Sequence, residues 1–328
     1  MRLKESGMKQ IDRVTSTMSG IPDDMFITCG SFEKRCLGSL IKFDNYLTDR
    51  FVLFEFDEPN QVREDNLLKM EKILFNAGLK NKYKKISVQH GMIADGILKF
   101  HEYCKSENLL TLSKGISITL DITTFTKELL FDILFYIENF LKIKSLRLLY
   151  TIPEKYALPD EGPLSYGIKN IKVIPFYWNS WTTTKDDMLM VILGYEEMRA
   201  WSLISQFDAN VNILFVTKPG SRPVWDMLCE NYNQRLLTEK FTIDTMPAID
   251  PAATISILEE RIIKEKLHEN YNIFIAPLGT KPQIVGTFCF LVKYPEANVN
   301  IVSTTAVEHN IPYYSSEIGE TFCTFLEN

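Results

Sequence analysis

Short apolar runs alternate along this chain with longer stretches of mixed apolar and charged residues. In the first half, Ile, Leu, Val and Phe dominate Phe26–Cys29, Phe51–Phe56, Ile86–Gln89, Ile116–Leu120 and Leu146–Tyr150. Between these runs, the stretches at about 32–48, 62–78, 92–106 and 125–141 have helical length and mixed polarity. Strands alternating with helices predict parallel βαβ units. The near-continuous apolar character of each strand predicts a sheet covered on both faces. The second half keeps the rhythm, with strands at Met188–Leu193, Asn212–Val216, Phe241–Asp244, Ile273–Ala276 and Val299–Val302. Its helices fall at about 196–206, 222–236, 252–268 and 282–293. The fold class expected is α/β: two Rossmann-like parallel-sheet α/β domains in tandem, over 1–151 and 187–328.

The stretch between them, 152–186, reads differently. Pro153, Pro159, Pro163 and Pro175 break regular structure. Tyr156, Tyr166, Tyr177, Trp178 and Trp181 make it aromatic. It is too long for a bare connection. It is expected either as a lid or ligand-contacting crossover, or as aromatic cement between the domains.

The two halves also share motifs, the mark of an internal repeat. Cys29-Gly30-Ser31-Phe32-Glu33-Lys34-Arg35 after the first strand matches Leu193-Gly194-Tyr195-Glu196-Glu197-Met198-Arg199, at an offset of 163 (195 − 32). After the fourth strand, Asp121-Ile122-Thr123-Thr124-Phe125-Thr126-Lys127 matches Pro277-Leu278-Gly279-Thr280-Lys281, at an offset of 154 (281 − 127).

Composition narrows the classes. Net charge is −6, so duplex nucleic acid is not the indicated partner of the whole surface. No apolar run is long enough for a membrane span, and the first residues lack a secretory core. None of the six cysteines forms a CxxC pair. They read as reduced and buried, as in a cytoplasmic protein. His90, His101, His268 and His309 show no metal-ligand spacing. No metal and no particular cofactor is indicated.

Open α/β sheets bind ligands beyond the carboxyl ends of their strands, which is where both motif pairs fall. Gly30-Ser31 and Gly194 allow a tight turn into a helix start suited to anions. Glu33 and Glu196 could bond a ribose or base edge, and Arg35 and Arg199 a phosphate. The alternative is a helix-start carboxylate with a nearby Arg. Thr124, Thr126 and Thr280 suit N-capping or ligand contact. Lys127 and Lys281 oppose a helix dipole at its first turn, a conflict an anionic ligand would relieve. Lys218 and Arg222 add cations to the turn after the second strand of the second half, where the first half has Asp57-Glu58-Pro59. The second half therefore reads as the better anion site. Glu33, Asp121 and Glu196 are the generic candidates for acid–base work.

The two Thr-Lys turns resemble those after the fourth strand of CARF domains, Rossmann-like sensors of prokaryotic immunity. The resemblance implies a second ligand-facing turn at Cys29–Glu33 and Leu193–Glu196. It also implies a cyclic oligonucleotide ligand, bound across a two-fold interface that a tandem chain, or a homodimer, could supply. Phe125 departs from the Gly of that turn. The expected function is a nucleotide-ligand sensor acting through a separate effector protein and not at a membrane. Thr126, Lys127, Thr280 and Lys281 would hold phosphate, and Phe32, Glu33, Tyr195 and Glu196 would contact sugar or base. The alternatives are a nucleotide-acting hydrolase or transferase, and a non-catalytic scaffold subunit.

Overall fold

The first apolar run, Met25–Cys29, is buried at every position, as a strand covered on both faces must be. A computed structural model describes residues 1–3, 8–11, 23–42, 46, 48–57, 60–89, 91–156, 162–177 and 179–327. It divides the chain into two compact units, Met1–Tyr156 with Ser315–Asn328, and Ala157–Tyr314.

Unit 1 begins with two short edge strands, β1 (Arg2–Leu3) and β2 (Lys9–Ile11). Its parallel core is β3 (Met25–Cys29), β4 (Phe51–Phe56), β5 (Tyr83–Val88), β6 (Ile116–Asp121) and β7 (Ile143–Thr151). The spatial order is β7-β6-β3-β4-β5, so the order reverses beside β3. Helices α1 (Gln61–Asn76), α2 (Ile93–Ser106) and α3 (Lys127–Phe140) fall where the pattern predicts. Asn60 caps α1 by accepting from the Arg63 N–H at 3.0 Å. The helix expected over 32–48 does not form in its described part. Lys34–Leu37 and Leu40–Lys42 are single 3-10 turns. Glu33 offers that segment no side-chain cap, and Arg35, Cys36 and Leu37 are all drawn into the interior. A short strand, β8 (Lys155–Tyr156), follows β7.

Unit 2 starts with β9 (Ser165–Val173). Its parallel core is β10 (Asp186–Ile192), β11 (Val211–Thr217), β12 (Thr242–Met246), β13 (Tyr271–Pro277) and β14 (Asn300–His309), ordered β12-β11-β10-β13-β14. This is the order of unit 1, reversing beside β10. α4 (Glu197–Phe207) and α8 (Lys281–Lys293) form as expected. Two predicted helices are broken. Over 222–236 only α5 (Leu228–Tyr232) is α-helical, flanked by 3-10 turns at Pro223–Trp225 and Leu236–Thr238. Over 252–268, α6 (Pro251–Leu258) runs into a π-helical turn at Glu259–Lys264. Lys266, at φ 58°, then ends it ahead of α7 (Leu267–Asn270). After β14 come a helical turn, α9 (Ile311–Tyr314), and two strands, β15 (Ser315–Ser316) and β16 (Thr321–Glu327).

The sixth strands are exchanged. β9 follows β7 in the chain yet pairs antiparallel with β14. β16 follows β14 yet pairs antiparallel with β7, and β1 and β2 pair with β16 in turn. β8 pairs with β15 within unit 1. The boundaries 1–151, 152–186 and 187–328 are corrected accordingly. The last strand closes the first sheet, and the described part of 152–186 supplies a strand to each unit instead of forming a lid or free crossover. Pro159 and Trp178 lie outside the described residues.

The repeat survives at hydrogen-bond resolution. The Gly30 N–H donates to the Phe54 carbonyl and the Leu193 N–H to the Phe215 carbonyl, each at 2.8 Å. Met25 opposes Ile118 as Met188 opposes Ile273.

Candidate functional site

In each unit the loop after the first strand sits where the strand order reverses, between the fourth and second strands. That is the ligand-binding position of open α/β sheets. Each loop is held by a buried asparagine that the sequence reading passed over. Asn66 Nδ2 donates to the Ser31 and Phe32 carbonyls at 3.0 and 3.1 Å. Asn233 Nδ2 donates to the Gly194 carbonyl at 2.8 Å. Ser31 and Gly194 are equivalent under the offset of the repeat. The available signal was an Asn set beside the apolar positions of each helix that follows the second strand.

The aromatic-Glu-Arg motif turns out to be an ion pair built twice. Arg35 Nε and Nη2 lie 2.8 and 3.1 Å from the two Glu33 carboxylate oxygens, and both side chains are buried. Ser315 Oγ donates to Glu33 at 2.6 Å, and Arg35 Nη1 reaches the Thr151 carbonyl at 3.4 Å. In unit 2, Arg199 Nη1 meets Glu196 Oε2 at 3.0 Å. Ser165 donates to the other Glu196 oxygen, and Arg199 bonds the Thr304 hydroxyl at 2.7 Å and also the Thr304 carbonyl. Each pair therefore ties the first-strand loop to the fifth strand and to a serine leading into or beginning the exchanged strand. Of the contacts expected for Glu33, Glu196, Arg35 and Arg199 with ligand, the structure instead shows these protein partners. Tyr195 is buried and stacks on Tyr232, with centroids 5.8 Å apart. Phe32 is half-buried on its loop.

The Thr-Lys turns are helix starts in both units. Thr126 caps α3, accepting from the Leu129 N–H at 3.3 Å. Thr280 caps α8, where Gln283 Oε1 accepts from the Thr280 N–H at 2.7 Å. Lys127 and Lys281 are the first residues of their helices and both are half-buried. Thr124 is not a cap; its hydroxyl donates to the Cys29 carbonyl at 2.6 Å, joining the two loops of unit 1. Two glycines are fixed by close approach. A Cβ on Gly194 would lie 2.4 Å from the Leu278 carbonyl oxygen, and one on Gly279 would lie 2.0 Å from Gln283 Oε1. Phe125, at the Gly279 position of unit 1, is buried against Phe54. Gly30 follows β3, where a Cβ would lie 2.3 Å from Leu67 Cδ2.

The remaining candidates are engaged within the fold. Lys218 Nζ lies 3.2 and 3.3 Å from the two Glu230 oxygens. Asp121 is buried, accepting from Ser39 and from the Thr123 hydroxyl and N–H. Burial raises its pKa above the ordinary Asp value, against the pull of those hydrogen bonds. Burial likewise pushes the Cys36 and Cys229 thiols up to about 12. Among the described residues no metal-ligating cluster occurs, and no helix is long and apolar enough to cross a membrane. Two open clefts, of about 720 Å³ between β5 and α2 and about 440 Å³ along β9, include none of the candidate residues. Comparison of the chain with protein-family models and with curated proteins returns no match.

Proposed function

We propose that this chain is a CARF-like sensor of a phosphate-bearing nucleotide, with a cyclic oligonucleotide the form best suited to two similar sites. It acts in the cytoplasm, in a prokaryotic defence or regulatory system, through a separate effector protein. One observation carries the reading: the same Thr-Lys helix start follows the fourth strand of both sheets, beside the loop where strand order reverses. A cation in the first turn opposes the helix dipole, and an anion between lysine and helix start resolves that conflict. Sensing is favoured over turnover because Glu33, Glu196 and Asp121, the acid–base candidates, all have their oxygens taken up by neighbouring donors.

The test is mass spectrometry of small molecules released from protein purified under native conditions, for the wild type and for Lys127→Ala/Lys281→Ala. A nucleotide or oligonucleotide released intact by the wild type, and missing from the variant at unchanged melting temperature, is the expected result. A nicotinamide coenzyme, or a nucleotide retained equally by the variant, sinks the reading.

A further inference from the structure

The turn that follows the second strand carries opposite charges in the two units. Phe54 and Phe215 are equivalent by the matched hydrogen bonds from Gly30 and Leu193. Three residues on, Asp57 therefore corresponds to Lys218. Asn66 and Asn233 are equivalent by their bonds to the first-strand loops. Three residues back, Arg63 therefore corresponds to Glu230. The acid-then-base order of unit 1 is base-then-acid in unit 2.

The two pairs differ in a second way. In unit 2 the pair is closed, with Lys218 Nζ 3.2 Å from Glu230. In unit 1 Asp57 is exposed. Arg63 is half-buried, and its Nε is buried without an acceptor. Among the described residues its guanidinium makes no ion pair or hydrogen bond. Partial burial of a charged donor without an acceptor is unfavourable, and an anion accepting from the guanidinium would relieve it. Its place fits. Arg63 lies one helical turn before Asn66 on the same face of α1, at the end of the helix beside the Ser31–Phe32 loop that Asn66 holds.

We infer that Arg63 is an anion-binding residue of unit 1, forming with Lys127 a site for a ligand that carries more than one phosphate. β6, β3 and β4 are neighbouring strands. The starts of α3 and α1 thus lie on either side of the Gly30–Glu33 loop, offset by about 10 Å along the sheet edge at about 4.8 Å per strand spacing. They lie on opposite faces of the sheet: α1 packs by Leu67 and Met70 on Phe51 and Leu53, and α3 on α2, whose Phe100 packs on Phe54. A planar fork suits a phosphate in the one place, and a point charge at a helix start suits it in the other. The pairing with Lys127 rests on the reading under Proposed function; the Arg63 site itself rests on the burial and charge just described.

Calorimetric titration of the full chain with inorganic pyrophosphate, and separately with ATP, tests it. Wild type should bind, Arg63→Gln should lose at least about 10-fold in affinity, and Arg63→Lys should lose less. Lys218→Ala should bind as wild type does. Melting curves accompany each titration, and Arg63→Gln should melt no lower than wild type, since it removes an unpaired charge. Wild-type affinity in Arg63→Gln overturns the inference, as does failure of the wild type to bind either probe, or a loss in Arg63→Gln that comes with a lowered melting temperature and is matched in Arg63→Lys. Retained, Lys127-dependent nucleotide with no effect of Arg63→Gln leaves the sensor reading standing and removes Arg63 from it. Arg63-dependent pyrophosphate binding unaffected by Lys127→Ala keeps the site and removes the sensor reading.

Discussion

Cutting the chain between β9 and β10 should leave its two halves bound to each other. The exposed Thr183-Thr184 turn is the place for an inserted protease site. After cleavage, the first piece keeps β9, which belongs to the sheet of unit 2, and the second keeps β16, which belongs to the sheet of unit 1. Separation must withdraw both strands. β16 pairs with β7 from Thr321 to Leu326, roughly 6 kcal/mol at about 1 kcal/mol per ladder hydrogen bond. Cys323 and Leu326 are buried and add about 2 kcal/mol each. β9 against β14 contributes about 7 kcal/mol more by the same reckoning. Ordering and association costs remove about half of that total of roughly 17 kcal/mol. The remaining 8 or so corresponds to a Kd of about 1 μM. Cleaved protein at about ten times that concentration should elute from a sizing column as one species and give the intact mass by native mass spectrometry. Two separately eluting, folded halves would refute the exchange.

Other expectations follow from single side chains. Arg147 and Asp23, 1% and 2% exposed, form a buried ion pair that Tyr46 and Thr119 complete. Arg147→Met should therefore cost about 3–5 kcal/mol in urea unfolding, and adding Asp23→Asn should restore part of it. Asp121 holds its proton to higher pH in the native state than in the unfolded chain, because burial disfavours its charge. Its contribution to stability is thus greatest at low pH and is lost as pH rises from the ordinary Asp range through the raised native value. Asp121→Asn should flatten that part of the stability profile, measured between about pH 4 and pH 8; a wild-type profile rising over the same window relative to the variant would contradict it. Burial pushes Cys36, Cys104, Cys229 and Cys323 up to about 12. All should react with an aromatic disulfide at about pH 8 only as fast as the fold opens, and promptly in denaturant.

The inner parallel strands were legible because they are apolar on both faces, and the longer helices by their length and mixed polarity. The edge strands β5 and β12, with Lys84, Lys85, Thr242 and Thr245 exposed, were legible only by their place in the alternation. The exchanged strands were not. β9 carries Lys169 and Lys172 among half-buried residues, so an edge strand reads as a polar connection. Nothing local in β9 or β16 says which fifth strand it joins, since either would also suit a hairpin with its own predecessor. The Glu-Arg repeat was legible as residues and not as a bond. Its spacing differs between units, two residues in one and three in the other, while its partners stay equivalent. The charge inversion was the least legible of all. Lys218 and Arg222 made the second half look the more basic, yet Glu230 neutralises Lys218 and Arg222 lies over the Trp225 ring. Nothing in the sequence singled out Arg63. Counting cations along a sequence cannot separate paired from unpaired ones, and here the distinction turns on which residue stands three places before a buried asparagine. That position gives unit 2 a closed pair and unit 1 an open arginine, so the stronger claim to an anion passes to the first half.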